Sequence, residues 1–277
     1  MCGFIVTNLN IDIKRNMKLL NHRGPDDIGI INNNEIKIIF NRLSILDVNR
    51  RSNQPMRYKN YIIIFNGEIY NYLELKKYLE KQGMFFSTKS DTEVLIKLFY
   101  LKGIDSLKLL EGMYSFCVYN TINKELIIAR DPFGIKPLFY KIYENNFFVS
   151  SEKNVFIKNN LQGKLNYFAL ANYLHNGVYQ DSRKTFFSEI KNLLPGYYIK
   201  LKKNKCIERK WYTLKSSKNF KISFNDAKEE TKRLLSKSLI LCRRSDRDIA
   251  VSASGGLDSS ILVKILDKSR IKDNLKY

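Results

Sequence analysis

The apolar positions of this chain fall mostly in short runs divided by polar turns, and in a few places the spacing changes to that of a helix. Residues 61–65 form an unbroken apolar run that stops at Asn66-Gly67, which reads as a strand reaching a turn. Asn71-Tyr72-Leu73-Glu74 has the form of a capping box, and Leu75, Tyr78 and Leu79 then recur at helical spacing until Gly83 ends the segment. A second helix is predicted from Ser90-Asp91, lined by Val94, Leu95, Leu98, Phe99 and Leu101 and stopped by Gly103. Asp91 fits the role of an N-cap there. Residues 116–119, 125–130 and 137–140 read as antiparallel strands, with turn chemistry from Asp131-Pro132-Phe133-Gly134 between the last two. Residues 147–151 and 197–201 read as further strands, and 166–176 as a helix. Strands, then helices, then strands again predict a layered α+β domain rather than an alternating βαβ one.

The pattern changes after about residue 215. A polar stretch, 215–225, reads as a linker between a first domain at 2–214 and a second segment at 226–277. In that segment a helix is predicted from Asn225 to about Cys242, with Leu234, Leu235, Leu239 and Ile240 as its apolar face. A short strand at 249–251, a glycine turn and a helix from Ile261 follow, which is how a parallel α/β domain opens.

Composition narrows the classes. With 44% hydrophobic residues in 277, the chain has enough apolar surface for a packed core, and 13 Gly with 5 Pro exclude a collagen-like chain. No window is long and apolar enough for a transmembrane helix, and the start of the chain carries no signal-peptide pattern, so the expectation is a cytoplasmic protein without a membrane partner. The excess of 48 Lys+Arg over 27 Asp+Glu gives a net charge of +21. That charge is spread along the chain as lysine, with no basic stripe or stacked-aromatic motif, so specific nucleic-acid recognition is not expected. Four cysteines without a C-x-x-C pair, and two histidines, argue against a zinc site; which metal the chain binds, if any, stays unknown at this level. Cys117 lies in an apolar run and reads as a core residue.

Cys2 is different because of its position. If Met1 is removed, the α-amine and the thiol share one residue, and their ordinary pKa values, about 8 and about 8.5, let the amine take the thiol proton near neutrality. Taken on position alone, Cys2 reads more readily as an incidental small residue.

The order of motifs bears on that choice. After Cys2-Gly3 come His22-Arg23-Gly24-Pro25-Asp26, Arg42-Leu43-Ser44-Ile45-Leu46-Asp47, Asn66-Gly67-Glu68-Ile69-Tyr70-Asn71, Ser90-Asp91-Thr92-Glu93 and Arg130-Asp131-Pro132-Phe133-Gly134-Ile135-Lys136-Pro137-Leu138. This series resembles class II glutamine amidotransferases, which have a four-layer αββα N-terminal-nucleophile sandwich. With Ser254-Gly255-Gly256-Leu257-Asp258-Ser259 added, it resembles the glutamine-hydrolysing asparagine synthetase family. The resemblance implies that Cys2 is the nucleophile, that the Asn66 amide and the Gly67 N–H form an oxyanion hole, and that Arg42 clamps the glutamine α-carboxylate. It implies that Glu68 and Asp91 hold the α-ammonium. His22, in a loop motif, is expected to be structural. The hexapeptide Ser254, Gly255, Gly256, Leu257, Asp258 and Ser259 resembles the pyrophosphate loop of ATP-pyrophosphatases; it is not a Walker A loop, since no Gly-Lys-Ser/Thr follows.

ATP and Mg2+ are therefore expected cofactors of a complete synthetase acting on aspartate, while glutamine hydrolysis needs none. The second segment reads as one strand and the helix after it, the truncated start of an ATP-pyrophosphatase-type domain. Glutamine hydrolysis without asparagine formation is expected of this chain alone. The assembly partner is expected to be a second copy or a complementary synthetase chain. Two alternatives stay open: an amidotransferase serving another ammonia acceptor, such as a sugar or cell-surface acid, and an inactive remnant that only binds a partner.

Overall fold

The structure, a computed structural model, describes residues 1–177, 183–203, 205–215, 221–268 and 275–276. The chain divides into two compact units: Met1–Ser44 with Asn49–Thr213, and Ile45–Val48 with Leu214–Tyr277. The strands of the first unit are β1 (Gly3–Thr7), β2 (Asp27–Asn32), β3 (Lys37–Arg42), β4 (Met56–Tyr58), β5 (Tyr61–Ile69) and β6 (Gly112–Asn120). They continue with β7 (Leu126–Arg130), β8 (Phe139–Tyr143), β9 (Asn146–Ser150), β10 (Lys191–Asn192), β11 (Tyr197–Lys202) and β12 (Lys205–Lys210). Its helices are α1 (Ile13–Leu20), α2 (Tyr72–Glu80), α3 (Asp91–Lys102), α4 (Asn154–Lys158) and α5 (Tyr167–Asn176).

Two six-stranded sheets result, in the orders β10-β8-β9-β1-β3-β2 and β12-β11-β7-β6-β5-β4. The pairings within both are antiparallel. Alternation along the central strands explains the layering, because successive side chains point to opposite faces. Phe4, Val6, Phe40, Ile62, Ile64, Cys117 and Ile128 meet between the sheets. The residues between them in sequence face outward onto helices. Ile63, Phe65, Phe116 and Ile127 pack with Leu79, Val94, Leu95 and Leu98 of α2 and α3. Ile5, Ile39 and Phe148 pack with Leu20 of α1 and Val155 and Phe156 of α4. The central strands are buried on both faces, so they read as continuous apolar runs, and the unit is a four-layer αββα sandwich.

Several predicted details differ. Asn66-Gly67 is no turn, because β5 runs through both residues to Ile69. Asn71 precedes α2, but its side chain makes no cap bond; it donates to the Leu109 carbonyl and accepts from the Glu111 N–H, so the capping box is not formed. Ser90, rather than Asp91, caps α3. β7 and β8 lie in different sheets, so the segment after Arg130 crosses between sheets instead of joining neighbouring strands. Helix α1, opened by Asp12 as N-cap, follows no apolar run long enough to predict it.

The second unit holds α6 (Phe224–Cys242), β13 (Ile249–Ala250), α7 (Leu257–Lys268) and β14 (Leu275–Lys276). Ser223, not Asn225, opens α6. The expected lone strand has a partner, since β14 pairs with β13 in parallel. Residues 216–220 of the expected linker lie outside the described residues. Among the described residues no helix is long and apolar enough to cross a membrane.

The outer helical layer over β1 and β9 depends on one aromatic contact. Phe148 is fully buried and meets Phe156 edge to face, with ring centroids 4.7 Å apart. Phe148→Ala is expected to cost about 3–5 kcal/mol of unfolding free energy, read as a lower urea midpoint.

Candidate active site

Strand register brings the amino terminus into the site. Gly3 pairs with Asn41, so Cys2, one residue before β1, stands opposite Arg42 at the end of β3. The Cys2 thiol is half-buried and lies against Leu43: the Leu43 N–H donates to Sγ at 3.3 Å, and Sγ lies 3.5 Å from the Leu43 carbonyl oxygen. Burial pushes the thiol pKa up, against the Leu43 N–H, the terminal ammonium, Arg42 and Lys136, which pull it down. Burial also pulls the terminal ammonium below its ordinary value.

The loop after α1 locks this corner. Arg23 donates from Nε to the Cys2 carbonyl at 3.1 Å, and its stem packs under Gly3. A Cβ on Gly24 would lie 2.1 Å from the Asn41 carbonyl oxygen, so only glycine lets the loop pass that close to β3. Asp26 accepts from the Ser44 N–H at 2.7 Å and so holds the segment that carries Leu43. His22 is largely exposed, with Nε2 2.8 Å from Oε2 of Glu152.

The second wall is the far end of β5. Asn66, Gly67 and Glu68 pair with Ser115, Tyr114 and Met113 of β6. A Cβ on Gly67 would lie 2.1 Å from the Met113 carbonyl oxygen, so glycine is required by this close approach. Asn66 is 1% exposed, and its Nδ2 is buried without a hydrogen-bond partner among the described residues. Such a donor costs about 1–3 kcal/mol if nothing satisfies it.

The charged residues of the sequence reading divide into two groups. Arg42 is buried; its Nη1 donates to the Asn49 carbonyl at 3.0 Å and to Oδ1 of Asn53 at 2.6 Å. Asp91 is buried at the first residue of α3, where its Oδ2 accepts from the Ile69 N–H at 3.0 Å. Burial pushes its pKa up to about 7, helped by the nearby charge of Glu68. Burial also raises Glu68, with Lys136 opposing it. Cys2, Arg42, Glu68 and Asp91 thus belong to one electrostatic neighbourhood in the first unit.

Two residues of that neighbourhood had no role assigned from sequence. Arg23 fixes the Cys2 backbone, as described. Lys136, 6% exposed, lies within electrostatic reach of Glu68, Cys2, Arg23 and Asp131. The only sequence signal for either was membership of a quoted motif.

Ser254, Gly255, Gly256, Leu257, Asp258 and Ser259 lie in the second unit, between β13 and the start of α7. Ser254 and Ser259 hydroxyls are 3.1 Å apart, the Gly256 N–H donates to Ser254 at 3.4 Å, and Ser259 donates to the Gly256 carbonyl at 3.1 Å. Leu257 and Asp258 open the helix, and the segment is mostly exposed. Hydroxyls beside a helix N-terminus are a donor set that fits a phosphate group. Among the described residues no cluster of His, Cys, Asp and Glu could hold a metal ion.

The family model for the glutamine amidotransferase domain matches residues 1–212. An asparagine synthetase (glutamine-hydrolysing) 1 of Bacillus subtilis is 34% identical over 278 residues, covering 96% of this chain and 44% of the relative. A putative asparagine synthetase (glutamine-hydrolysing) 2 of Methanocaldococcus jannaschii is 34% identical over 286 residues, covering 92% of this chain and 53% of the relative. The chain thus spans about half the length of these relatives. Among solved structures, glutamine phosphoribosylpyrophosphate amidotransferase from B. subtilis matches with a TM-score of 0.56 at 19% identity, over 97% of this chain and 64% of that one, a likeness of fold. With its sandwich, its motif order and a family match that runs through the whole first unit, the chain belongs to the glutamine amidotransferase domain family.

Proposed function

We propose that the first unit hydrolyses glutamine to glutamate and ammonia through a thioester on Cys2, and that in the complete protein the ammonia serves ATP-dependent asparagine synthesis from aspartate. The observation that carries the hydrolytic reading is the buried, unpartnered Nδ2 of Asn66, two residues along β5 from Glu68, which shares the charge of Lys136 with the half-buried Cys2. An empty donor is what a site needs when charge appears only during reaction. The asparagine reading is supported by the names of the relatives and by the Ser254–Ser259 loop; Ser254, Gly255, Gly256 and Ser259 would hold the pyrophosphate of ATP, which with Mg2+ would activate the acceptor acid.

In this reading Met1 is removed and the α-amine of Cys2 takes the thiol proton. The burial that pulls the present terminal ammonium down favours such a base. The thiolate attacks the side-chain amide carbon of glutamine, and the oxyanion is met by Asn66 Nδ2 and the Gly67 N–H. The amine returns its proton to the leaving ammonia, and water then attacks the thioester to release glutamate. Arg42 receives the substrate carboxylate with its planar fork, and Glu68 with Asp91 receives the ammonium. Opposite charges at the two ends orient the amide over Cys2.

Intact mass is expected to show loss of one Met, and Cys2→Ala to abolish ammonia release from glutamine while circular dichroism stays that of the parent. Full turnover by protein that retains Met1 would remove the α-amine from the mechanism.

Asn66→Ala is expected to lower kcat by about 10²–10³-fold, as loss of an oxyanion donor does. Arg42→Ala should act mainly on KM, since it removes binding shared by ground and transition states. Steady-state kinetics separates the two, and an effect of Asn66→Ala confined to KM would rule out its oxyanion role.

A carboxyl group with a raised pKa is neutral below it. The KM for glutamine should therefore climb as pH falls through about 7, where Asp91 takes up its proton and stops attracting the ammonium. By the same linkage the ligand-free protein should lose stability as pH rises from 3.8 to about 7, because over that range the unfolded carboxyl is ionised while burial keeps Asp91 protonated in the fold; above about 7 the loss is complete. Asp91→Asn should raise KM and flatten that profile; a parent KM that stays level across this range would count against Asp91 as a substrate ligand.

A further inference from the structure

The segment that crosses between the sheets after β7 is braced far more heavily than a connection requires. Asp131 is fully buried, and its carboxylate accepts from the N–H groups of Phe133, Ile135 and Lys136 at 3.0 Å and from that of Tyr114 at 3.3 Å. Arg130 donates to the carbonyls of Lys136 at 2.7 Å, Gly134 at 2.7 Å and Leu193 at 2.6 Å, and to the Asn192 side chain at 2.9 Å. Both sides of the Lys136 backbone are thereby fixed. Tyr114, which ties this loop to β6, is the register partner of Gly67. The frame therefore sets Lys136 against the wall that carries Asn66, Gly67 and Glu68.

The side chain it presents is unusual. Lys136 is 6% exposed, yet its ammonium makes no hydrogen bond or ion pair among the described residues. Buried lysines are normally paired, because an ammonium taken from water without a partner is costly. The charges facing it are Glu68 from β5, Cys2 and the terminal ammonium ahead of β1, Arg23 after α1 and Asp131 in its own loop. Glu68 faces Asp91 as well as Lys136, and Cys2 also faces the terminal ammonium and Arg42. Burial disfavours the ionised forms of both Cys2 and Glu68, and each must be ionised to act. One cation between them serves both.

We propose that Lys136 is a positioning residue for the reaction: its buried, unpaired ammonium, carried on a braced backbone, holds Cys2 as thiolate and Glu68 as carboxylate, so that nucleophile and ammonium receptor are ready together. The proposal rests on the hydrolytic reading for its second half only, since the effect on Cys2 can be read without substrate. The directions of the two groups agree with it: Lys136 pulls the pKa of Glu68 and of Cys2 down, against burial.

The test is the pH dependence of iodoacetamide alkylation at Cys2, followed by mass spectrometry of the amino-terminal peptide, in the full chain and in Lys136→Met and Lys136→Arg. Lys136→Met is expected to move the alkylation midpoint upward by about one pH unit, a tenfold loss of thiolate below the midpoint. Lys136→Arg, which keeps the charge, should hold the midpoint near that of the parent. In glutamine hydrolysis Lys136→Met should raise KM at neutral pH and recover part of it at higher pH, as Glu68 ionises. A folded Lys136→Met protein with the parent's alkylation midpoint overturns the proposal; if that variant fails to fold, Lys136→Gln is read in its place by the same criterion. Turnover by the parent with no shift in the variants sinks the role of Lys136 and spares the hydrolytic reading. A clear shift in a parent that releases no ammonia does the reverse.

Discussion

The pairing of Gly3 with Asn41 is the constraint on which the site depends. It fixes Cys2 opposite Arg42 and brings the Leu43 N–H to the sulfur. A slip of one residue would exchange the two faces of β1. Phe4 and Val6 would then leave the space between the sheets and Ile5 the helical layer, so the core enforces the register that the chemistry needs. The proposed nucleophile and the core are thus set by one strand, and the thiol is placed by packing rather than by a mobile loop.

Around that strand the site uses a low dielectric and then corrects for it. Burial raises Cys2, Glu68 and Asp91 together, each away from its ionised form. Arg42, Lys136 and the terminal ammonium supply the opposing charge at Cys2. The same exclusion of water strengthens each of those interactions, so few cations suffice. Asp91 differs from Glu68 in having no cation among its main influences; its charge is supported instead by the N–H of Ile69 at the end of β5 and those of Thr92 and Asp91 at the start of α3.

The sequence made the sandwich strands and α3 legible because doubly buried strands are continuous apolar runs and α3 is apolar nearly all round. Helix α1 was not legible: it is eight residues long, and of its buried residues one is Asn16. Asn66-Gly67 misleads in the opposite way. As a dipeptide it signals a hairpin, and only the close approach of β6, visible at the Met113 carbonyl, explains a glycine inside a nine-residue strand. Lys136 was least legible of all, since nothing in Gly-Ile-Lys-Pro distinguishes a buried lysine from a surface one. What buries it is the network of Asp131 and Arg130, and those bonds reach Tyr114, Asn192 and Leu193, residues distant in the chain.

The margins of the sandwich bear on how copies of it behave toward one another. A free strand edge is a template for pairing with another chain. Here the edges β10 and β4 are two and three residues long, too short to template much, while the edge β2 has six residues with Ile28 and Ile30 exposed. At the end of the second sheet, β12 is longer but carries Lys205, Glu208, Arg209 and Lys210 and is largely exposed. A second copy approaching that edge would have to align like charges at the distance of a hydrogen-bonded ladder, about 5 Å, and strip their water. The lysine excess of the chain thus acts at this border as a barrier to self-assembly through strand exchange, a physical use for a positive charge that needs no polyanion.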